Sequence, residues 1–175
     1  MQLTGDQIVN RRIVTNVCQD GIQQQGVDVR IDKVFKVIGD EGRVPSEGKT
    51  VRPDYQEIYP TDTNYGDDKY RPYFHLEPGW YEVELMEGCN IGNKELMNFK
   101  TRSSLVRCGA LVHSGQFDAG FKTEKMGCFL QVNHPINIEQ GARIAQAIIT
   151  ESYEVDKNNL YNGQWQGDKQ RENQK

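Results

Sequence analysis

The sequence predicts an all-β domain, a sandwich or barrel built from many short strands. Runs rich in Val, Ile, Phe and Tyr recur along the chain and are broken by Gly, Pro, Asn or Asp. Within several runs apolar and polar residues alternate, which is the period of a half-buried strand. Only two stretches carry a helical pattern, and both are short. With 175 residues and a mass of 20.1 kDa, the chain amounts to about one domain. A domain of that size buries roughly 70% of the surface its unfolded chain exposes, so it needs no staples to hold a core.

The elements follow in order. Thr4 can cap a short helix, Gln7 completes a capping box, and Ile8, Arg11 and Arg12 follow. Val27, Val29 and Ile31 alternate with Asp28, Arg30 and Asp32, which predicts a strand with a solvated polar face. Residues 39–73 hold Pro45, Pro53, Pro60 and Pro72 among Gly, Asp and Tyr, and read mostly as a long loop or an irregular excursion from the sheet. After a Pro78-Gly79 turn, Tyr81, Val83 and Leu85 alternate with Glu82 and Glu84. Asn93 to Met97 carries the second, weaker helical pattern, with a turn as the alternative. Phe129 to Val132 and Ile144 to Ile149 are further apolar runs. The last eight residues, DKQRENQK, contain nothing apolar and read as a frayed tail. The expected division is one barrel domain over 1–160 and a flexible arm over 161–175.

Composition narrows the function. The chain has 21 Lys and Arg against 25 Asp and Glu, a net charge of −4, which argues against a general nucleic-acid binder. No apolar run approaches the 18 or so residues of a membrane span. The N-terminus lacks the basic-then-apolar layout of a signal peptide, so a cytoplasmic protein is expected. Cys18, Cys89, Cys108 and Cys128 form no Cys-x-x-Cys pair, and His75, His113 and His134 do not cluster with them. Reduced thiols in a core fit that spacing better than a zinc site does.

Three stretches hold more polar chemistry than a plain β-protein needs. The first is Gln25-Gly26-Val27-Asp28-Val29-Arg30. The second runs from Lys100 to Arg107, where Arg102 stands beside Ser103 and Ser104 with Arg107 further on. A guanidinium can grip phosphate oxygens in bidentate fashion, and hydroxyls and backbone N–H groups add shorter bonds. Such a local basic group lets an acidic protein bind a polyanion. The third is Gly115-Gln116-Phe117-Asp118-Ala119-Gly120-Phe121, where flanking glycines suit a tight turn that lets a ligand approach the backbone.

In that order these stretches resemble the motifs of the trimeric dUTPase and dCTP deaminase superfamily. Ile22 to Arg30 resembles the first motif, Arg102 to Leu105 the second and Gly115 to Phe121 the third. Gly141-Ala142-Arg143-Ile144-Ala145-Gln146 is similar to the fourth, and Tyr161 to Gly167 to the C-terminal arm. Phe74 to Tyr81 looks like the segment that leads into the second motif. The pattern most resembles archaeal-type dUTPases.

The resemblance implies a distorted, jelly-roll-like β-barrel, a homotrimer with active sites at subunit interfaces, and a deoxyribonucleoside triphosphate substrate handled with Mg2+. Asp118 aligns with the aspartate that orients and deprotonates the attacking water. Arg102, Ser103, Ser104 and Gln146 would hold the triphosphate. Gly115, Gln116 and Phe117 would belong to the turn that reads uracil, and Phe121 would pack on the deoxyribose. Tyr161, Trp165 and Gln166 would close over the nucleotide from a neighbouring subunit. Asp28 would reach the magnesium shell through water or support the site from behind.

The superfamily runs two reactions. A dUTPase directs water at the α-phosphorus and releases pyrophosphate. A deaminase directs water at C4 of cytosine without zinc, and by resemblance needs a glutamate on the strand after the third motif. Counting back from Asn133 places Leu130 there, and counting forward from Phe121 places Cys128 there. Neither is a carboxylate. Glu124 falls too early, in the turn. Ser103 and Arg107 match deaminase positions, so dCTP deamination stays open as the alternative. A non-catalytic nucleotide-binding member of the fold is the third reading.

Overall fold

A computed structural model describes residues 1–39, 41–61 and 72–167. The predicted tail, and residues 62–71 of the excursion, lie outside the described residues. In chain order the elements are helix α1 (Gly5–Asn10), strands β1 (Val14–Thr15), β2 (Ile22–Gln23), β3 (Gly26–Ile38), β4 (Asp54–Ile58), β5 (Tyr73–Leu76), β6 (Gly79–Leu85), β7 (Gly88–Asn90) and β8 (Glu95–Thr101), helix α2 (Ser103–Arg107), and strands β9 (Ala110–His113), β10 (Lys122–Thr123), β11 (Gly127–Val132), β12 (Ile136–Glu139) and β13 (Arg143–Glu151).

The main sheet runs β8-β13-β3-β6-β11-β9, with β2 and β4 also paired to β3. All of its pairings are antiparallel. The sheet curls until its two outer strands meet. There the Thr101 hydroxyl of β8 accepts from the Val112 N–H of β9 at 2.9 Å and donates back to the Val112 carbonyl at 3.3 Å. Just beyond β9, Phe117 and Met97 exchange both backbone hydrogen bonds, at 2.9 and 3.0 Å. The result is a nearly closed barrel, which removes most of the exposed edge that an open sheet would carry.

Strand β3 is the spine. Its first half pairs with β13 and its second half with β4, and a register shift between Ile31 and Lys33 lets it bend against β6. Val27, Val29, Ile31, Val83, Leu85, Leu130, Ala145, Ala147 and Ile149 fill the interior with no exposed surface. Each large side chain buried in this way stabilises the fold by about 1.5–3 kcal/mol. The predicted capping box at α1 is present: Gln7 N–H donates to Thr4 Oγ1, and Thr4 N–H donates to Gln7 Oε1.

Three local expectations change. Of the two readings of Asn93 to Met97 the turn holds at Asn93 and Lys94, where Gly92 N–H donates to the Glu95 carboxylate, and the helix does not, because β8 pairs from Glu95 along its whole length with β13, which buries Met97. The excursion holds a real strand, β4, bonded to the outer half of β3. Asp28 does not lie on a solvated face. It is only 2% exposed, because Arg102 and Arg143 close over it. Of the cysteines, Cys89 and Cys128 are buried, Cys18 is half-buried and Cys108 is exposed. Among the described residues no group of three or more His, Cys, Asp or Glu side chains gathers to hold a metal, and no helix is long and apolar enough to cross a membrane.

Candidate active site

The first cluster forms where β8 ends. Leu105 is buried and pins the short helix α2 to the barrel, so the chain must turn sharply at Arg102. Arg102 Nε then lies 3.2 Å from Asp28 Oδ2, and Arg143 Nη1 lies 3.5 Å from the same oxygen. Arg102 also donates to the Arg143 carbonyl at 3.3 Å, and Arg143 donates to the Asp20 carbonyl. Burial pushes the Asp28 carboxyl above the ordinary aspartate value, and the two guanidinium charges pull it back. Two cations share one anion here, so the cluster keeps a net positive charge. Both guanidinium side chains remain about a third exposed. Ser103 and Ser104 are exposed at the start of α2, where helical N–H groups lack intrahelical acceptors. Gln146 of β13 stands opposite Asp28 on one side and Lys100 on the other. Arg107 is exposed on the same helix.

The second cluster is the turn after β9. Asp118 is exposed and accepts a hydrogen bond from Gln116 Nε2 at 2.7 Å, which fixes its direction. Phe121 N–H donates to the Asp118 carbonyl at 3.1 Å and closes the turn. Gly120 adopts φ +90°, and a Cβ there would sit 2.8 Å from Leu160 Cβ, so this position needs glycine on both counts. Gly115 is exposed. Phe117 belongs to the core, and both of its backbone groups are committed to Met97.

Phe121 is buried between Phe117, at 5.5 Å between ring centroids, and Tyr161, at 5.4 Å. The face expected to meet a sugar is therefore covered by the chain's own arm. Tyr161 N–H donates to the Ala119 carbonyl, and Gln166 spans from the Lys122 N–H to the Gly120 carbonyl. Gln164 exchanges two hydrogen bonds with the Thr50 backbone. Tyr161, Trp165 and Gln166 thus lie on the turn and the excursion of their own chain.

Beside this turn lies a cavity of about 530 Å3, within the range of sites for nucleoside-sized ligands. Ser114, Gly115, Cys128, Phe129 and Trp165 line it, together with residues 42–44 and 50–53 of the excursion, Tyr55 and Glu82. Arg52 is ion-paired with Glu82, and its guanidinium lies over the rings of Tyr55 and Trp165. Burial raises the Glu82 carboxyl above its ordinary value, opposed by Arg52. Leu130 has no exposed surface, burial pushes the Cys128 thiol up to about 12, and Glu124 is exposed in the turn between β10 and β11. No carboxylate stands at either counted strand position.

Sequence reasoning missed Arg143, Arg52, Tyr55 and Glu82. Arg143 had a signal, since it lies three residues before Gln146. Glu82 looked like the solvated member of an alternating strand, and Arg52 was one charge in a proline-rich loop.

Within one chain the two clusters stand apart. Met97, bonded to Phe117, is five residues before Arg102 on β8, about 16 Å at roughly 3.3 Å per residue.

A family profile described as dCTP deaminase-like matches residues 3–152. A probable deoxyuridine 5'-triphosphate nucleotidohydrolase of Halobacterium salinarum is 33% identical over 153 residues, covering 87% of each chain. The deoxyuridine 5'-triphosphate nucleotidohydrolase of Methanocaldococcus jannaschii is 31% identical over 159 residues, covering 90% of this chain and 95% of that one. Among solved structures, the 2'-deoxycytidine 5'-triphosphate deaminase of Agrobacterium tumefaciens aligns with a TM-score of 0.62 at 16% identity, over 85% of this chain and 48% of that one. That last likeness shows the fold alone, and this chain spans about half the length of the enzyme it matches. The barrel, the ordered motifs and the profile match agree, and the chain belongs to the dCTP deaminase-like family.

Proposed function

We propose that the protein is a dUTP diphosphatase that hydrolyses dUTP to dUMP and pyrophosphate in the cytoplasm. The observation that carries this reading is Asp118: an exposed carboxylate, aimed by Gln116, on a glycine-flanked turn beside a nucleoside-sized cavity. The archaeal relatives named as deoxyuridine triphosphate nucleotidohydrolases support it. The deaminase alternative lacks its carboxylate at positions 128 and 130.

In this reading Asp118 accepts the proton of a water whose oxygen bonds to the α-phosphorus. The bond from that phosphorus to the bridging oxygen breaks, and pyrophosphate leaves with the electron pair. A carboxylate suits the task because it is ionised at neutral pH and can orient water by accepting its hydrogen bond. Arg102, Ser103, Ser104 and Gln146 hold phosphate oxygens, and Arg102 is held in turn by Asp28. Positioned positive charge supplies much of the acceleration. Arg107 extends the basic edge of α2. Gly115 and its neighbours approach the base, and Trp165 covers it.

Magnesium fits this donor set as a companion of the triphosphate. The described residues offer no cage of three ligands, and Mg2+ dehydrates reluctantly, so phosphate oxygens and waters would hold it. Asp28 Oδ2, buried with no hydrogen-bond donor aligned on it among the described residues, would be reached through a water. The ion, when bound, neutralises charge on the phosphates.

The separation of the clusters supports a shared site. Along β8, Met97, which holds the Asp118 turn through Phe117, lies about 16 Å from Arg102 at roughly 3.3 Å per residue. In a homotrimer the turn of one copy would meet the Arg102 loop of another. Light scattering should then give about three times the 20.1 kDa chain mass.

The test is Asp118→Asn assayed with dUTP and dCTP plus magnesium. Pyrophosphate release from dUTP should fall by at least ~10²-fold while nucleotide binding survives. Retained turnover would overturn the assignment, and ammonia release from dCTP by the unaltered protein would favour the deaminase.

A further inference from the structure

Strands β8, β13 and β3 carry a patterned set of cations on the outer face of the barrel. Residues directly opposite each other in paired antiparallel strands share a face. Lys100 stands opposite Gln146, and Gln146 opposite Asp28. The three form one row across strands ~4.8 Å apart. Two residues along a strand return to the same face. Arg30 therefore falls beside Asp28, with Arg143 opposite it, and Arg102, just past Lys100, reaches the same Asp28.

Three of these four cations already have an anion. Arg30 Nε donates to Glu87 Oε1 at 2.6 Å, its backbone N–H to Glu87 Oε2 at 2.7 Å and its Nη2 to the Asn16 carbonyl at 2.8 Å. Glu87 is fully buried. Arg102 and Arg143 share Asp28. Lys100 is exposed, and among the described residues no carboxylate pairs with it. Lys94 and Lys125 do meet carboxylates, Glu154 at 3.2 Å and Asp32 at 2.8 Å. A chain of net charge −4 thus leaves one strand cation without a counter-ion, next to the residues that bind phosphate.

We propose that Lys100 is a further substrate-binding residue, whose ammonium holds an oxygen of the triphosphate beside the Gln146 amide and the Arg102 guanidinium. This rests on the reading of the protein as an enzyme of deoxyuridine triphosphate. Arginine offers a planar fork that fixes direction, whereas lysine offers a compact charge on a flexible four-carbon stem. Lys100 can therefore settle on an oxygen that the guanidinium leaves open. A hydrogen bond between ionised groups is among the stronger ones a side chain makes. The phosphates are charged both before and during the reaction. The contact therefore acts on binding more than on the chemical step, and on KM more than on kcat.

The experiment measures, by calorimetry, the Kd of inorganic tripolyphosphate and of deoxyuridine for the unaltered protein, Lys100→Met and Lys100→Arg, with KM and kcat for dUTP alongside. In Lys100→Met the tripolyphosphate Kd and the KM for dUTP should each rise about tenfold, the loss of one charged hydrogen bond. The deoxyuridine Kd and kcat should stay within about twofold. Lys100→Arg keeps the charge and should recover most of the tripolyphosphate affinity. Lys100→Gln replaces Lys100→Met if that variant does not melt cooperatively. An unchanged tripolyphosphate Kd in the folded neutral variant overturns the proposal. So does an equal loss of deoxyuridine affinity, which would mark a structural role, or an arginine variant as weak as the neutral one. If the unaltered protein fails to hydrolyse dUTP, the hydrolase reading falls. Tripolyphosphate binding that Lys100→Met weakens and Lys100→Arg restores would still support Lys100 as a phosphate ligand.

Discussion

The ring of Tyr161 meets the ring of Phe121 edge to face, with centroids 5.4 Å apart and planes at 70°. This contact ties the C-terminal arm to the turn that carries Asp118. Both residues were legible in the sequence, yet their contact was not, because nothing local joins position 121 to position 161.

The weakest point of that junction is Gly120. At φ +90°, with Leu160 Cβ 2.8 Å from where a methyl would stand, Gly120→Ala must strain the turn or push the arm away. The expected cost is about 1–3 kcal/mol. Tryptic cleavage at Lys157 should accelerate severalfold, and the melting temperature should fall. Unchanged cleavage would mean that the arm is held elsewhere.

Asp28 is expected to trade stability for function. Burial raises its carboxyl above the unfolded value, so its stabilising share is full below ~3.9 and is lost as pH rises through the folded value. At neutral pH the buried charge is a burden that the two arginines offset. Asp28→Asn should therefore hold the melting temperature at pH 7 within about 4 °C, the shift that ~1 kcal/mol gives at this size. Arg102 would lose its anchor, and KM for dUTP should rise about tenfold, the effect of ~1.4 kcal/mol. A normal KM would show that Arg102 needs no such anchor.

His75 makes a pH prediction of the opposite kind. Its Nδ1 lies 2.7 Å from Asn137 Oδ1 and its Nε2 3.1 Å from Glu77 Oε1. Asn137 first and Glu77 second raise its pKa above the ordinary 6.5. The stability it contributes is full below ~6.5 and fades as pH rises through the folded value. The melting-temperature gap between the protein and His75→Gln should be wider at pH 5.5 than at pH 8. An imidazole titrating below the ordinary value by NMR would contradict this.

The thiols should divide by burial. Burial pushes both Cys89 and Cys128 up to about 12, whereas Cys108 is exposed. Thiolate is the reactive form. At pH 8 an aromatic disulfide reagent should titrate Cys108 at once in the folded protein, and Cys89 and Cys128 only after denaturant. Prompt reaction of Cys128 would mean that the cavity opens to solvent.

The sequence by itself determined what depends on near neighbours. Thr4 and Gln7 announce α1 because a capping box needs residues three apart. Val27, Val29 and Ile31, like Tyr81, Val83 and Leu85, announce strands because alternation is a local period. Arg102-Ser103-Ser104 and the glycines around Asp118 mark the chemistry because contiguous residues make loops and turns. Only the tertiary structure decided the rest. Glu95 to Thr101 became a strand because β13 was there to pair with it. Asp28 became buried because two arginines from other parts of the chain closed over it. Arg52 and Glu82 came to share a cavity wall because the excursion folds back on β6. Pairings of this kind depend on barrel closure, which brings distant segments into contact and leaves no periodic trace along the chain.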